Sequence, residues 1–326
     1  MSGAAAQAAR HRPPLVLGAT GLVGSALVRR LRIDDAPLLT PTRRELDLLD
    51  RFAVQRYFMN QRPGVVYLAA ARVGGIRANN DQPADFIHEN LLIAAHVVEA
   101  AARSGAHKLV YFGSSCIYPR DCPQPMRPEH LLSGPLETTN RAYALAKIAG
   151  IELCRSYRRQ HGLASVCLMP TNLYGPHDRF DLEAAHVLPA LLRRMHEAAR
   201  DGQAVVTVWG TGRARREFLH VDDLADAAVL LADRCSDAEL VNIGSGEEVT
   251  IAELAQRVAQ LVGFSGEIRF DASLPDGTPR KLLDSEPLRA LGWRPRIDLA
   301  VGLRQVYDWF REHAHRCSVR EIEANS

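Results

Sequence analysis

The spacing of Gly18, Gly21 and Gly24 is the first feature of this chain that implies chemistry. The segment Gly18-Ala-Thr-Gly21-Leu-Val-Gly24 follows the apolar run Leu15-Val16-Leu17 and opens a helical pattern from Ser25 to Arg32. Such glycines let a pyrophosphate approach the backbone at a helix N-terminus. About twenty residues further on, an NAD-dependent protein carries a carboxylate for the ribose 2′-hydroxyl. Here that place, after Leu38-Leu39-Thr40, is taken by Arg43 and Arg44. Guanidiniums attract a 2′-phosphate by charge-assisted hydrogen bonding, so the pattern predicts NADP(H) over NAD(H).

A second group can move protons. Tyr143-Ala-Leu-Ala-Lys147 lies in a helical pattern from Tyr143 to Arg159, and the four-residue separation puts phenol and ammonium on one face. A free tyrosine has a pKa near 10. Lowering it toward 7 takes roughly 4 kcal/mol, which the lysine and a cationic nicotinamide ring would supply in a dry pocket, making Tyr143 an acid at neutral pH. Gly113-Ser114-Ser115-Cys116-Ile117-Tyr118-Pro119 follows the apolar run Leu109 to Phe112. Ser114 then stands at the carboxyl edge of a strand, where ligands bind in open α/β sheets, and can hydrogen-bond a carbonyl oxygen.

These groups need a scaffold. Apolar runs at Leu15 to Leu17, Val65 to Ala71, Leu109 to Gly113 and Val166 to Met169 alternate with helical patterns such as Phe86 to Ala102 and Tyr143 to Arg159. Alternation of this kind predicts right-handed βαβ units and an α/β fold with a doubly wound, Rossmann-type parallel sheet. After Tyr174-Gly175-Pro176 the apolar segments shorten to Val205 to Trp209, Val241 to Ile243 and Ile268 to Phe270, and a second, smaller α/β lobe is expected. Leu188 to Arg194 reads as an amphipathic helix with His186 near its start, and Asp222 as a helix cap.

The glycine turn, the serine loop and Tyr143/Lys147, in this order, resemble the extended short-chain dehydrogenase/reductase superfamily. Ala69-Ala-Ala-Arg-Val-Gly-Gly-Ile76, Gly113 to Pro119, Met169-Pro-Thr-Asn-Leu-Tyr-Gly-Pro-His-Asp178 and Pro275-Asp-Gly-Thr-Pro-Arg-Lys-Leu-Leu-Asp284 are similar to those of GDP-L-fucose synthases, over about residues 15 to 312. The resemblance implies NADPH-dependent epimerisation at C3 and C5, then reduction at C4, of GDP-4-keto-6-deoxymannose. It assigns Ser114, Tyr143 and Lys147 to catalysis and Cys116 and His186 to an acid/base pair. For the dinucleotide it implies Gly18, Thr20, Gly21, Leu22, Val23, Gly24, Arg43, Ala70, Lys147, Pro170, Thr171, Asn172, Leu173 and His186. For the GDP-sugar it implies Asn172, Arg194, Trp209, Arg216, Asp276 and Lys281. It further implies a cofactor domain over 13–175 plus about 218–244, a nucleotide-sugar lobe over about 176–217 plus 245–316, and a homodimer through Phe86 to Ala102 and Tyr143 to Arg159.

Two departures from the family stand out. Ala19 and Thr20 replace a basic residue often found in the glycine loop, which leaves the 2′-phosphate to Arg43 and Arg44. Thr139-Asn140-Arg141-Ala142 lacks a proline common before the tyrosine, which bears on the shape of that loop. Ser114-Ser115-Cys116 offers no acidic residue of the kind a 4,6-dehydratase uses for elimination. A 4-epimerase on the same fold would return its hydride, and a non-catalytic sensor would have no need of Tyr143 and Lys147.

Composition narrows the rest. Forty basic against 38 acidic residues leave a net charge of +2, which gives no reason to expect a nucleic-acid partner. Six scattered cysteines without Cys-x-x-Cys pairs fit a reducing, cytoplasmic compartment, and no metal site is expected. Residues 1–12 read as a disordered tail without the apolar stretch of a secretory signal. No apolar run is long enough to span a membrane.

Overall fold

Alternate residues of each buried strand pack into different cores. The computed structural model describes residues 9, 11–34, 37–182, 185–235, 239–274 and 276–324, the last eleven by backbone only. Its strands are β1 (Leu15–Leu17), β2 (Val65–Leu68), β3 (Lys108–Phe112), β4 (Ser165–Pro170), β5 (Asn172–Tyr174), β6 (Val205–Trp209), β7 (Arg215–His220), β8 (Glu239–Ile243), β9 (Glu248–Thr250), β10 (Glu267–Asp271) and β11 (Arg280–Lys281). The main sheet runs β1-β2-β3-β4-β8, all parallel. Leu15, Leu17, Val66, Leu68, Leu109 and Tyr111 share one core with residues of the helices Arg51–Gln61, Pro83–Arg103 and Arg141–His161. Val16, Tyr67, Val110, Phe112, Val166 and Leu168 share another with the helices Leu22–Leu31 and Val221–Arg234. Each such side chain, fully buried, contributes about 1.5–3 kcal/mol.

Doubly wound topology follows from the neighbours of β1. Leu39 bridges to Leu15 on one side of β1, with the Val16 amide donating to the Leu39 carbonyl at 2.9 Å, and β2 pairs on the other. The chain therefore winds outward in both directions from β1, and a crevice opens beyond its carboxyl end. A third core joins Leu188, Leu192 and Met195 of the helix Val187–Arg200 to Leu254 and Val258 of the helix Ile251–Val262, and to Val206, Val208 and Phe310. Parallel pairing of β10 with β6 and the set β11-β7-β5 build the sheets outside the main one.

Three expectations need adjustment. The first helix begins at Leu22, not Ser25, because Gly21 is its N-cap and Gly24 lies inside its first turn. Asp222 is not a cap: β7 runs to His220, whose ring accepts from the Asp222 amide as N-cap of the helix Val221–Arg234, while Asp222 pairs with Arg29. The expected tail over 1–12 lies mostly outside the described residues. Of those described, Ala9 is fully buried, and Arg12 donates to the carbonyls of Ser104 and Gly105. Among the described residues, no helix is long and apolar enough to cross a membrane.

Candidate active site

Beyond the carboxyl end of β1, Gly18 is required by conformation and by close approach, and Gly24 by close approach, whereas a Cβ at Gly21 would make only an ordinary contact. Gly18 adopts φ +84°, and a Cβ there would stand 2.8 Å from the Ala70 nitrogen. A Cβ at Gly24 would stand 1.9 Å from the Gly18 carbonyl oxygen. The first turn of the helix Leu22–Leu31 holds no acidic residue and its N-cap has no side-chain acceptor, which leaves its amides to an anion. This cradle of glycine backbone and helix N-terminus fits a dinucleotide pyrophosphate.

The cradle opens into a cavity of about 1650 Å³. Its wall includes Gly18, Thr20 to Gly24, Arg43, Ala70, Ser114, Cys116, Tyr143, Lys147, Pro170 to Leu173, His186 and Lys281. Arg44 is absent from that wall, as are Arg194, Trp209, Arg216 and Asp276, although Arg193 takes part. Asp276 accepts from the amide and hydroxyl of Thr211, at 2.7 and 2.8 Å, and so holds the turn after β6. Arg216 donates to the Asp276 carbonyl at 3.1 Å. Burial lowers its guanidinium, against which Asp276 and then Cys116 act, so Arg216 is within electrostatic reach of the thiol. Trp209 stays 45% exposed on β6.

Ser114 caps the short turn Ser115–Ile117, its hydroxyl accepting from the Cys116 amide at 3.3 Å, and it also hydrogen-bonds the Tyr143 phenol. The turn follows β3, while the helix Arg141–His161 delivers Tyr143 and Lys147 to the same point. Lys147 is buried and donates to the Phe112 carbonyl at 2.8 Å, with its ammonium 5.7 Å from the Tyr143 ring centroid. Burial lowers that ammonium to about 8.

The phenol runs opposite to expectation. In the chain alone, burial raises the Tyr143 phenol above its ordinary range and Cys116 adds to the shift, while the Ser114 hydrogen bond opposes it. A low-dielectric wall disfavours the phenolate more than the lysine, whose charge is directed at the Phe112 carbonyl, can favour it. Tyr143 therefore holds its proton at neutral pH, the state a proton donor needs.

The Cys116 thiol accepts from Asn140 Nδ2 at 3.3 Å and from Lys281 Nζ at 3.5 Å. His186 is the N-cap of the helix Val187–Arg200. It lines the cavity and keeps exposed surface there, while desolvation by the surrounding protein, then Lys281, then Arg179 push the imidazole below its usual range. Lys281 is thus in contact with Cys116 and within electrostatic reach of His186, whose neutral form these surroundings favour.

Asn140, which contacts Cys116, and Asp178, on the wall itself, were missed by sequence reasoning. Asn140 precedes the catalytic helix as an N-cap residue would, yet makes no cap hydrogen bond and turns to the thiol. It belongs to the approach that lacks the usual proline; a short 3₁₀ turn, Thr138–Asn140, leads directly into the helix there. Asp178 carries no sequence signal beyond its motif. It is 8% exposed, accepts from the Arg179 amide at 2.8 Å through Oδ1, and has no partner for Oδ2 among the described residues.

Burial raises the Asp178 carboxyl to about 7 from 3.8. A raised acid favours the fold below its unfolded pKa, and that contribution is lost as pH rises from about 4 to about 7. Three units correspond to roughly 4 kcal/mol. Asp178→Asn should accordingly raise Tm more at pH 8 than at pH 5; equal gains at both would place the titration elsewhere.

A glycine cradle at the switch point of a doubly wound sheet, opening on a cavity shared with a serine, a tyrosine and a lysine, defines a dinucleotide-dependent dehydrogenase/reductase. The chain belongs to the NAD dependent epimerase/dehydratase family, a model of which matches residues 14–244. It is 55% identical over 296 residues to the GDP-L-fucose synthase 1 of Arabidopsis thaliana, covering 90% of this chain and 92% of that one. Among solved structures, a GDP-L-fucose synthetase from Naegleria fowleri bound to NADP superposes with a TM-score of 0.86 at 27% identity, covering 93% and 95%. A GDP-6-OMe-4-keto-L-xylo-heptose reductase from Campylobacter jejuni superposes with a TM-score of 0.86 at 35% identity, covering 93% and 99%.

Proposed function

We propose that this protein converts GDP-4-keto-6-deoxy-D-mannose to GDP-L-fucose by epimerisation at C3 and C5 and NADPH-dependent reduction at C4. The observation that carries this reading is the convergence of Ser114, Cys116, Tyr143, Lys147, His186 and Lys281 on one cavity that begins at the glycine cradle. The amides after Gly21 and Arg43 would hold NADP(H), which would supply the hydride for C4. Ala70, Pro170, Thr171, Asn172 and Leu173 line the path between cradle and serine loop and orient the dinucleotide.

The 4-keto group acidifies the hydrogens on C3 and C5, and Ser114 and Tyr143 donate to its oxygen as an enolate forms. Cys116 and His186 share removal of those protons and their return from the opposite face. Tyr143 then protonates the C4 oxygen during reduction, and the Lys147 charge stabilises the phenolate left behind. For the GDP-sugar, Lys281 would supply a cation and Asn172 a hydrogen bond on the cavity wall, while Arg194, Arg216, Asp276 and Trp209, which lie off that wall, would be met only by the far end of the nucleotide. The same reading makes the protein a homodimer through the exposed faces of Pro83–Arg103 and Arg141–His161, where Leu145 lies open. It acts in the cytoplasm, consistent with the free thiols of Cys116, Cys122, Cys154 and Cys167.

Incubation with GDP-4-keto-6-deoxymannose and NADPH should give GDP-L-fucose with one NADPH consumed per product. An inverted keto-sugar formed without loss of NADPH would indicate a 3,5-epimerase that does not reduce C4. A reduced sugar without inversion would indicate a simple 4-reductase, the activity that the Campylobacter jejuni relative's description suggests. Arg43→Ala should raise KM for NADPH about tenfold or more and leave KM for NADH nearly unchanged, because only the 2′-phosphate loses a charge-assisted partner. Equal losses with both cofactors would make Arg43 a structural residue.

A further inference from the structure

Lys281 lies on β11, a strand of two residues, and so short a pairing cannot fix where an ammonium points. Beyond the pairs Arg280 with Arg215 and Lys281 with Arg216, the ladder to β7 is continued by a side chain. The Leu283 amide donates at 3.1 Å to Oε2 of Glu217, and the other carboxylate oxygen takes the Gly246 amide at 2.7 Å. Glu217 has no exposed surface, and a Cβ at Gly244 would stand 2.2 Å from its Oε1, so the loop after β8 closes over the carboxylate.

The backbone carbonyl of the same residue accepts from Asn172 Nδ2 at 2.7 Å and from the Thr171 hydroxyl at 3.2 Å. One residue thus ties the Lys281 segment through its side chain and the 171–172 segment through its main chain. Burial raises the Glu217 carboxyl, while the Gly246 and Leu283 amides, the Thr171 hydroxyl and Arg289 pull it down. A buried acid is an expensive brace compared with apolar packing. Only an acceptor-only group suits two facing amides, because a glutamine would set its own NH₂ against one of them.

We infer that Glu217 is a positioning residue for catalysis, its carboxylate fixing the β11 segment so that Lys281 is held against Cys116. The inference rests on the proposed use of Cys116 and His186 as a pair in epimerisation. Loss of deuterium exchange at C3 and C5 in Cys116→Ser and His186→Asn tests the pair itself, and the variants below test only Glu217.

Glu217→Gln should lower the C3/C5 exchange rate tenfold or more while KM for NADPH moves less than twofold, since the main-chain contacts to Thr171 and Asn172 survive. In a Lys281→Ala background the same substitution should cost less than twofold, because the residue it positions is gone. Equal losses in both backgrounds would overturn the inference, as would parallel losses of exchange and NADPH binding. If Glu217→Gln does not fold, Gln124→Ala serves in its place. It removes the acceptor of the Leu282 amide, bound at 2.9 Å on the same segment, and should show the same dependence on Lys281. Its failure to do so would be equally adverse.

Discussion

Tyr143→Phe should nearly stop NADPH oxidation while deuterium from heavy water still enters the keto-sugar. The substitution keeps the ring, which packs edge-on against Phe86 at a centroid distance of 6.3 Å, and removes only the hydroxyl bonded to Ser114. Reduction at C4 creates an alkoxide that must be protonated as hydride arrives, and Tyr143, whose phenol is protonated at neutral pH, is the proposed donor. Losing a positioned acid costs about 10²–10⁴-fold in rate. Exchange loses one of two donors to the enolate oxygen and should slow by a smaller factor, since Ser114 remains. Absorbance of NADPH and mass spectrometry of the sugar in one timed incubation read both steps. If both fell together by the same factor, Tyr143 would act before the steps diverge, and its assignment to reduction would fail.

Cys116→Ser should do the reverse. A serine hydroxyl fits the space and can accept from Asn140 and Lys281, which now donate to the sulfur at 3.3 and 3.5 Å, so folding should be little affected. Its acidity is far too low for it to take and return a carbon-bound proton at neutral pH, so exchange should fall by about 10²–10⁴-fold. Residual NADPH oxidation would then yield a reduced sugar that was never inverted. Normal exchange in this variant would return Cys116 to a packing role and sink the epimerase half of the reading. His186→Asn provides a companion test, because the imidazole, whose neutral form burial, Lys281 and Arg179 favour, is the other proposed proton carrier.

Much of the scaffold was legible in the chain because its signals are local. Strand period, helix period and the Tyr143/Lys147 spacing each lie within a few residues, and the main-sheet strands appear within two or three residues of their expected ends. The glycine spacing was equally readable, since Gly18 and Gly24 meet each other across a single turn. What tertiary structure alone decided is the company these residues keep. Lys281 reaches Cys116 across 165 positions of sequence, and Glu217 takes the Leu283 amide across 66, separations over which no period carries information. The direction of the Tyr143 and Asp178 shifts depends on burial, which is a property of the closed cavity and not of any one segment. The sequence determined which groups could do the chemistry; folding determined which of them share a wall, because contact and desolvation exist only once distant segments have packed.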